Sequence, residues 1–91
     1  MFFALMAWDK PGALELRMQH RPAHLAYLED TGVVRQAGPF LDVAGQPCGS
    51  LIVLEVADMA AAQAWADADP YATAGLFETV RISAWNRVIA S

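Results

Sequence analysis

Two runs of this chain are apolar at nearly every position, and each is only a few residues long. Phe2-Phe3-Ala4-Leu5-Met6-Ala7-Trp8 is closed by Asp9-Lys10-Pro11-Gly12. Gly49-Ser50-Leu51-Ile52-Val53-Leu54-Glu55-Val56 is apolar on both alternating sets from Leu51 until Glu55. Runs so short, with aromatic or β-branched residues, predict strands buried on both faces. A bilayer-spanning helix needs about 20 apolar residues, which neither run approaches. The chain must therefore build a sheet whose central strands are covered twice.

Between these strands the period changes. From Pro11 to about Thr31, Leu14, Met18, Leu25 and Leu28 fall near one helical face, with Glu15, Arg17 and Gln19 elsewhere. Pro11 suits the first helical turn and Gly32 a stop. Pro22 lacks an amide hydrogen, and its ring crowds the carbonyl of Met18. It predicts a kink or break near His20–Arg21, with a second helical segment starting at Pro22. Val33–Leu41 reads as a strand of mixed polarity, and Pro39 marks it as an edge or a strand end. Asp42–Pro47 is a hairpin-length connection. Asp58 can cap a helix over Met59–Asp67, rich in alanine, with Trp65 as its one large anchor and Pro70 as its end. Phe77–Ile89 alternates as a last strand until Trp85 and Asn86 fall out of phase, which predicts a bulge or short loop there.

The order β-α-β-β-α-β is the ferredoxin-like, α+β arrangement. It is a four-stranded antiparallel sheet with two helices on one face. Strands 1 and 3 are central and strands 2 and 4 are edges, matching the polarity of each. Two helices cover one face only. The remaining cover is expected from a second copy packed sheet to sheet, giving a homodimer with a closed, barrel-like core. The 91 residues fit one domain over 1–91. Hydrophobic residues make up 56% of the chain, against about 45–50% in ordinary domains, and that surplus also points to a subunit interface.

Charge and cysteine content exclude other classes. Ten acids and six bases give a net charge of -4, with no basic stripe for a nucleic acid. No polybasic or amphipathic membrane signature is present. Cys48 is the only cysteine, so no internal disulfide forms, and the lack of an export signal suggests the cytoplasm. With no basic neighbour in its Pro/Gly turn, Cys48 reads as an incidental small residue.

The residues able to carry chemistry gather in two stretches, Arg21-Pro22-Ala23-His24-Leu25-Ala26-Tyr27-Leu28 and Asp69-Pro70-Tyr71-Ala72-Thr73-Ala74-Gly75. Imidazole can exchange a proton near neutral pH. A neighbouring carboxylate fixes its tautomer and favours the imidazolium. His24 and Asp69 are thus candidates for a general acid/base and its orienting group. The alternative is that His24 is a surface or satisfied core residue and Asp69 caps the turn at Pro70. Pattern alone favours that alternative, because His and Asp in separate helices are common by chance. Arg17 and Arg21 could each neutralise an anionic substrate or simply solvate the helix; the pattern favours solvation for Arg17 and leaves Arg21, beside His24, open. Ser50 and Tyr71 are further candidates for binding substrate, and Tyr71, Trp8 and Phe40 could line a pocket for a flat ligand. His20 and His24 have a metal-compatible spacing, but two ligands are too few and Pro22 disturbs the geometry between them, so no metal is expected. No phosphate-cradling loop, nucleophile elbow or dinucleotide fingerprint is present.

The pieces Arg21-Pro22-Ala23-His24-Leu25, Ala37-Gly38-Pro39, Gly49-Ser50, Ala61-Ala62-Gln63-Ala64-Trp65-Ala66, Asp69-Pro70-Tyr71 and Ala74-Gly75 resemble, in order and over nearly the whole chain, the YciI family of YCII-related proteins. The resemblance implies a dimeric α+β barrel of ferredoxin-like subunits. It also implies a cleft with a His–Asp pair, here His24 and Asp69, which lifts the functional reading of those two residues. The family's fold is similar to that of muconolactone isomerase, and one relative removes chloride from a chlorinated hydroxyquinol. This chain has a shorter strand 2–3 connection than many members, and it ends in Ser83-Ala84-Trp85-Asn86-Arg87 instead of a lysine-rich strand.

Three readings follow. The first is a small isomerase or lyase without a cofactor, in which His24 moves a proton on a small cyclic or aromatic oxygenated substrate. The second is a non-catalytic dimeric module that binds a ligand or assists a larger enzyme. The third is a protein whose dimer interface is its whole function, which only the excess apolarity supports.

Overall fold

The computed structural model describes residues 1–90. The chain runs β1 (Phe2–Asp9), α1 (Leu14–Thr31), β2 (Val34–Leu41), β3 (Pro47–Glu55), α2 (Met59–Ala68), α3 (Pro70–Thr73) and β4 (Phe77–Trp85). The strands form one antiparallel sheet in the order β2-β3-β1-β4. The two apolar strands are central and the two mixed strands are edges. This is the ferredoxin-like α+β arrangement that strand polarity predicts.

Alternation along β1 and β3 sorts their side chains between two faces. Phe3, Leu5 and Ala7 on β1 pair with Leu54, Ile52 and Ser50 on β3 and are buried. Ala62, Trp65 and Ala66 of α2 complete this core, and Tyr27 and Leu28 of α1 pack against it. On the other face, Phe2, Ala4 and Met6 are half-buried, while Trp8 and Leu51 are each 39% exposed. Trp8 stacks on Phe40 of β2, with ring centroids 5.4 Å apart and planes 6° from parallel. Their backbones flank Gly49, which pairs with both residues. A β-carbon at Gly49 would lie 2.4 Å from the Ala7 carbonyl oxygen. That close approach holds the start of β3 tight against β1, and Ser50 follows on the helix-facing side.

Four local expectations change. First, α1 begins at Leu14 instead of Pro11, since Pro11 and Gly12 form the preceding turn and Gly12 takes φ 69°. Second, α1 runs unbroken through Pro22. An internal proline costs a helix about 3 kcal/mol, but anchors on both sides outweigh it. Arg17 is buried before Pro22 and His24 after it. Farther on, the Tyr27 hydroxyl donates to the Trp65 carbonyl, and Trp65 Nε1 donates to Thr31 Oγ. Trp65 is thus the anchor its size predicts, and Gly32 ends the helix in the left-handed conformation.

Third, Pro70 begins a helix as well as following one. Asp58 caps α2 through Ala61 N, as predicted, and α2 ends at Ala68. Asp69 is extended, and Pro70 takes the first position of α3, where its missing N–H costs nothing. Fourth, β4 stops at Trp85, and residues 86–90 lie outside any strand. The ladder irregularity falls instead between Trp8 and Asp9, opposite Thr79 and Phe77. Trp85 packs edge-on to Phe2, and the Arg87 guanidinium sits 5.7 Å from that ring. Among the described residues, no helix is long and apolar enough to cross a membrane.

Candidate functional site

Because α1 is continuous, Arg17, Arg21 and His24 follow helical spacings of four and three and share one face. That face looks across a cleft of about 190 Å³ toward β2 and β3. Ser50 and Ile52 of β3, Tyr71 of α3, and the Ala37–Pro39 stretch of β2 line the other sides. Met18, Leu25 and Leu28 supply an apolar border. Ligand pockets for drug-sized molecules usually enclose about 300–1,000 Å³, so this cleft suits a smaller guest.

At the helix-side wall, His24 Nδ1 lies 2.8 Å from Asp69 Oδ1, and both residues are buried. The same Oδ1 accepts the backbone N–H of Tyr71 at 2.9 Å. An oxygen that already accepts there is a carboxylate acceptor, so Nδ1 is the donor of the imidazole. In the neutral ring, Nε2 then carries a lone pair. His24 lines the cleft, and Nε2 makes no hydrogen bond to the described residues. Asp69 Oδ2 is buried and has no hydrogen-bond partner among the described residues. Tyr71 stacks on the imidazole, with centroids 3.9 Å apart and planes at 15°, which fixes the ring's tilt as Asp69 fixes its rotation. Burial, reinforced by the charge of Asp69, raises the pKa of the Tyr27 phenol.

The N-terminal part of the same helix face is held by a second network. Arg17 Nε donates to Asp9 Oδ2 at 2.6 Å, and Nη2 donates to Asp9 Oδ1 at 3.0 Å. Nη2 also donates to Ser50 Oγ at 2.8 Å. The guanidinium carbon lies 4.7 Å from the centre of the Tyr71 ring. Burial disfavours the Arg17 charge, but the hydrogen bonds and charge of Asp9 overcome it and raise the pKa above the ordinary value. For Tyr71, burial raises the phenol's pKa, and the opposing pull of Arg17 and Arg21 does not cancel it.

The structure gathers five of the residues named from the sequence. His24, Arg21, Ser50 and Tyr71 line the cleft, and Asp69 lies behind His24. The same carboxylate caps α3, as the helix-cap alternative for Asp69 expects. Arg17 is the correction. It is 4% exposed, and it is an organising cation of the cleft rather than a solvating residue. Asp9, read from the sequence only as the end of a strand, is its counter-ion. The helical spacing to Arg21 and His24 was the signal that Arg17 shares their buried face. Trp8 and Phe40 pack together on the other side of the sheet instead of lining this cleft, and His20 does not line it either.

Comparison with known proteins agrees with this architecture. The model of the YCII-related domain matches residues 1–86. Protein YciI of Escherichia coli is 41% identical over 97% of this chain and 99% of its own length. An uncharacterised protein of Haemophilus influenzae is 29% identical over the same shares. Among solved structures, the 5-chloro-2-hydroxyhydroquinone dehydrochlorinase of Burkholderia phenoliruptrix, in complex with 2,5-dihydroxybenzoquinone, superposes with a TM-score of 0.88. It is 29% identical over 94% of both chains. The matched length and the 41% identity carry one conclusion: the chain belongs to the YCII-related domain family.

Proposed function

We propose that this protein is a small enzyme that catalyses isomerisation or elimination by proton transfer, without a cofactor. The observation that carries this reading is the buried Asp69–His24 pair, which leaves Nε2 as an acceptor in a cleft sized for about one ring. In this reaction Nε2 takes a proton from a ring hydroxyl or from a carbon beside a carbonyl, and the electron pair is held as a phenolate or enolate, which can be protonated at carbon. Return of the proton to a different carbon gives an isomer. Departure of an anion from the neighbouring carbon gives an elimination. Asp69 holds the tautomer and stabilises the imidazolium that forms. Arg21, Ser50 and Tyr71 bind the substrate. The similarity to a dehydrochlorinase supports a cyclic, oxygenated substrate. The working form is a homodimer through the open sheet face, which would cover Met6, Trp8 and Leu51.

The test is turnover of 5-chloro-2-hydroxyhydroquinone and of a panel of hydroxylated aromatics and lactones. His24→Gln and Asp69→Asn are compared with the parent protein, and circular dichroism checks each fold. Loss of positioned acid–base catalysis should lower kcat by roughly 10²–10⁴-fold. Unchanged turnover in correctly folded variants would sink the mechanism. Saturable binding with no product would turn the protein into a ligand-binding module.

A further inference from the structure

The Arg17 network has a free edge. A guanidinium carries five N–H donors in a fixed fork. Nε and Nη2 make the bonds to Asp9 and Ser50, and Nη1 makes none to the described residues. Arg17 is nearly buried, yet Nη1 is not among the enclosed polar atoms without a partner, and the residue lines the cleft. Nη1 therefore keeps access to the cleft, beside Tyr71, whose side chain also favours the guanidinium charge. Ser50 Oγ accepts from Arg17, which leaves its own O–H free to donate. Ser50 also lines the cleft and is 3% exposed.

Charge is distributed in the same sense. The chain has a net charge of -4, yet the charged side chains lining this cleft are Arg17 and Arg21. The acids nearby are Asp9, occupied by Arg17, and Asp69, bonded to His24 and the Tyr71 amide. Neither carboxylate lines the cleft. The result is a small, partly apolar hollow with fixed donors at one side and a proton acceptor, His24 Nε2, at another.

We infer that Arg17 and Ser50 form an oxyanion site, and that the substrate is a single-ring compound bearing a carboxylate or an ionised enol or phenol. This deepens the proposed function, on which its catalytic part rests. Asp9 holds the Arg17 fork by one edge and turns the other toward the ligand. When His24 removes a proton, the oxygen that gathers the electron pair lies against donors already in position, and such donors stabilise charge without reorganising. Arg21, exposed and lying between Arg17 and His24 on the same helix face, adds long-range attraction for the anion.

Binding tests this separately from turnover. Benzoate and benzamide share a ring and a size and differ in charge. Calorimetric titration of the full chain should show saturable benzoate binding and at least ten-fold weaker benzamide binding. Ser50→Ala should weaken benzoate about ten-fold, the usual scale for losing one hydrogen bond to a charged group. Arg17→Lys keeps the charge but loses the fork, and should weaken benzoate further. His20→Gln, at a residue that does not line the cleft, should bind benzoate within about three-fold of the parent. No benzoate binding, equal affinity for the two probes, or full benzoate affinity in both Ser50→Ala and Arg17→Lys overturns the inference. Charge-selective binding that survives when no proton-transfer activity is found leaves the oxyanion site standing and removes the enzyme reading. Turnover that depends on His24 with charge-blind binding does the reverse.

Discussion

Arg17 and Asp9 form a two-bond ion pair, at 2.6 and 3.0 Å, with side-chain exposures of only 5% and 6%. It ties the end of β1 to the first turn of α1, across the turn at Pro11–Gly12. Removing one partner strands the other as a buried charge. Arg17→Met should therefore destabilise the protein by about 3–5 kcal/mol, the range for breaking a buried pair. Urea unfolding of Arg17→Met, Asp9→Asn and the double variant checks this. The double variant should recover part of the loss, and simple additivity would contradict a coupled pair.

The alkaline limb of stability should belong partly to Tyr71. Burial is the main reason its phenol's pKa lies above the ordinary 10.0, with the charges of Asp69 and Asp9 adding to it. The folded state thus holds this proton more tightly than the unfolded chain. The contribution is fully present below about pH 10 and is lost as the pH rises through the folded value. Tyr71→Phe cannot ionise there, so its stability should fall less steeply above pH 10. Thermal melts at several alkaline pH values read the slopes, and parallel slopes would assign the limb to other groups.

Gly49 should not accept a side chain. Its β-carbon would meet the Ala7 carbonyl oxygen at 2.4 Å and the Phe40 ring at 3.0 Å. The first contact is backbone in a central strand and cannot rotate away. Gly49→Ala should cost about 1–3 kcal/mol, the scale of overpacking, measured by denaturant midpoint. A neutral result would mean that β1 and β3 can part without loss.

The open sheet face should close on a second copy. Leu51 pairs with Met6 at its centre and is 39% exposed in the single chain. Leu51→Glu places a charge where two sheets would meet. Sedimentation should show a dimer for the parent protein and a monomer for the variant. A monomeric parent would remove the sheet-to-sheet assembly.

The strand order was legible because polarity reports coverage. The Phe2–Trp8 and Leu51–Leu54 runs could only be central, and Pro39 belonged at an edge. The helices were legible at their caps, Asp58 and Gly32, because capping is local. Pro22 was misleading because its cost is local while its compensation is tertiary, through Arg17 on one side and His24 on the other. With the helix continuous, Arg17 shares a buried face with His24, which the favoured solvating reading of Arg17 did not expect. Asp9 was hidden for a related reason. Its partner lies eight residues away across a turn, and the exit of the chain from that turn sets the contact. The His24–Asp69 pair spans 45 positions, so spacing carried no signal for it. The resemblance to a family did.

One oxygen of Asp69 receives both the imidazole of His24 and the backbone amide that opens α3. The corner of the chain and the anchor of the histidine are the same atom. Sequence drift that only has to preserve the fold will therefore retain the aspartate, with or without a reaction to catalyse. His24 has no such second duty to the backbone. Among descendants of a common ancestor, loss of the histidine, rather than of the aspartate, should mark the lineages that keep the scaffold without the proposed proton transfer.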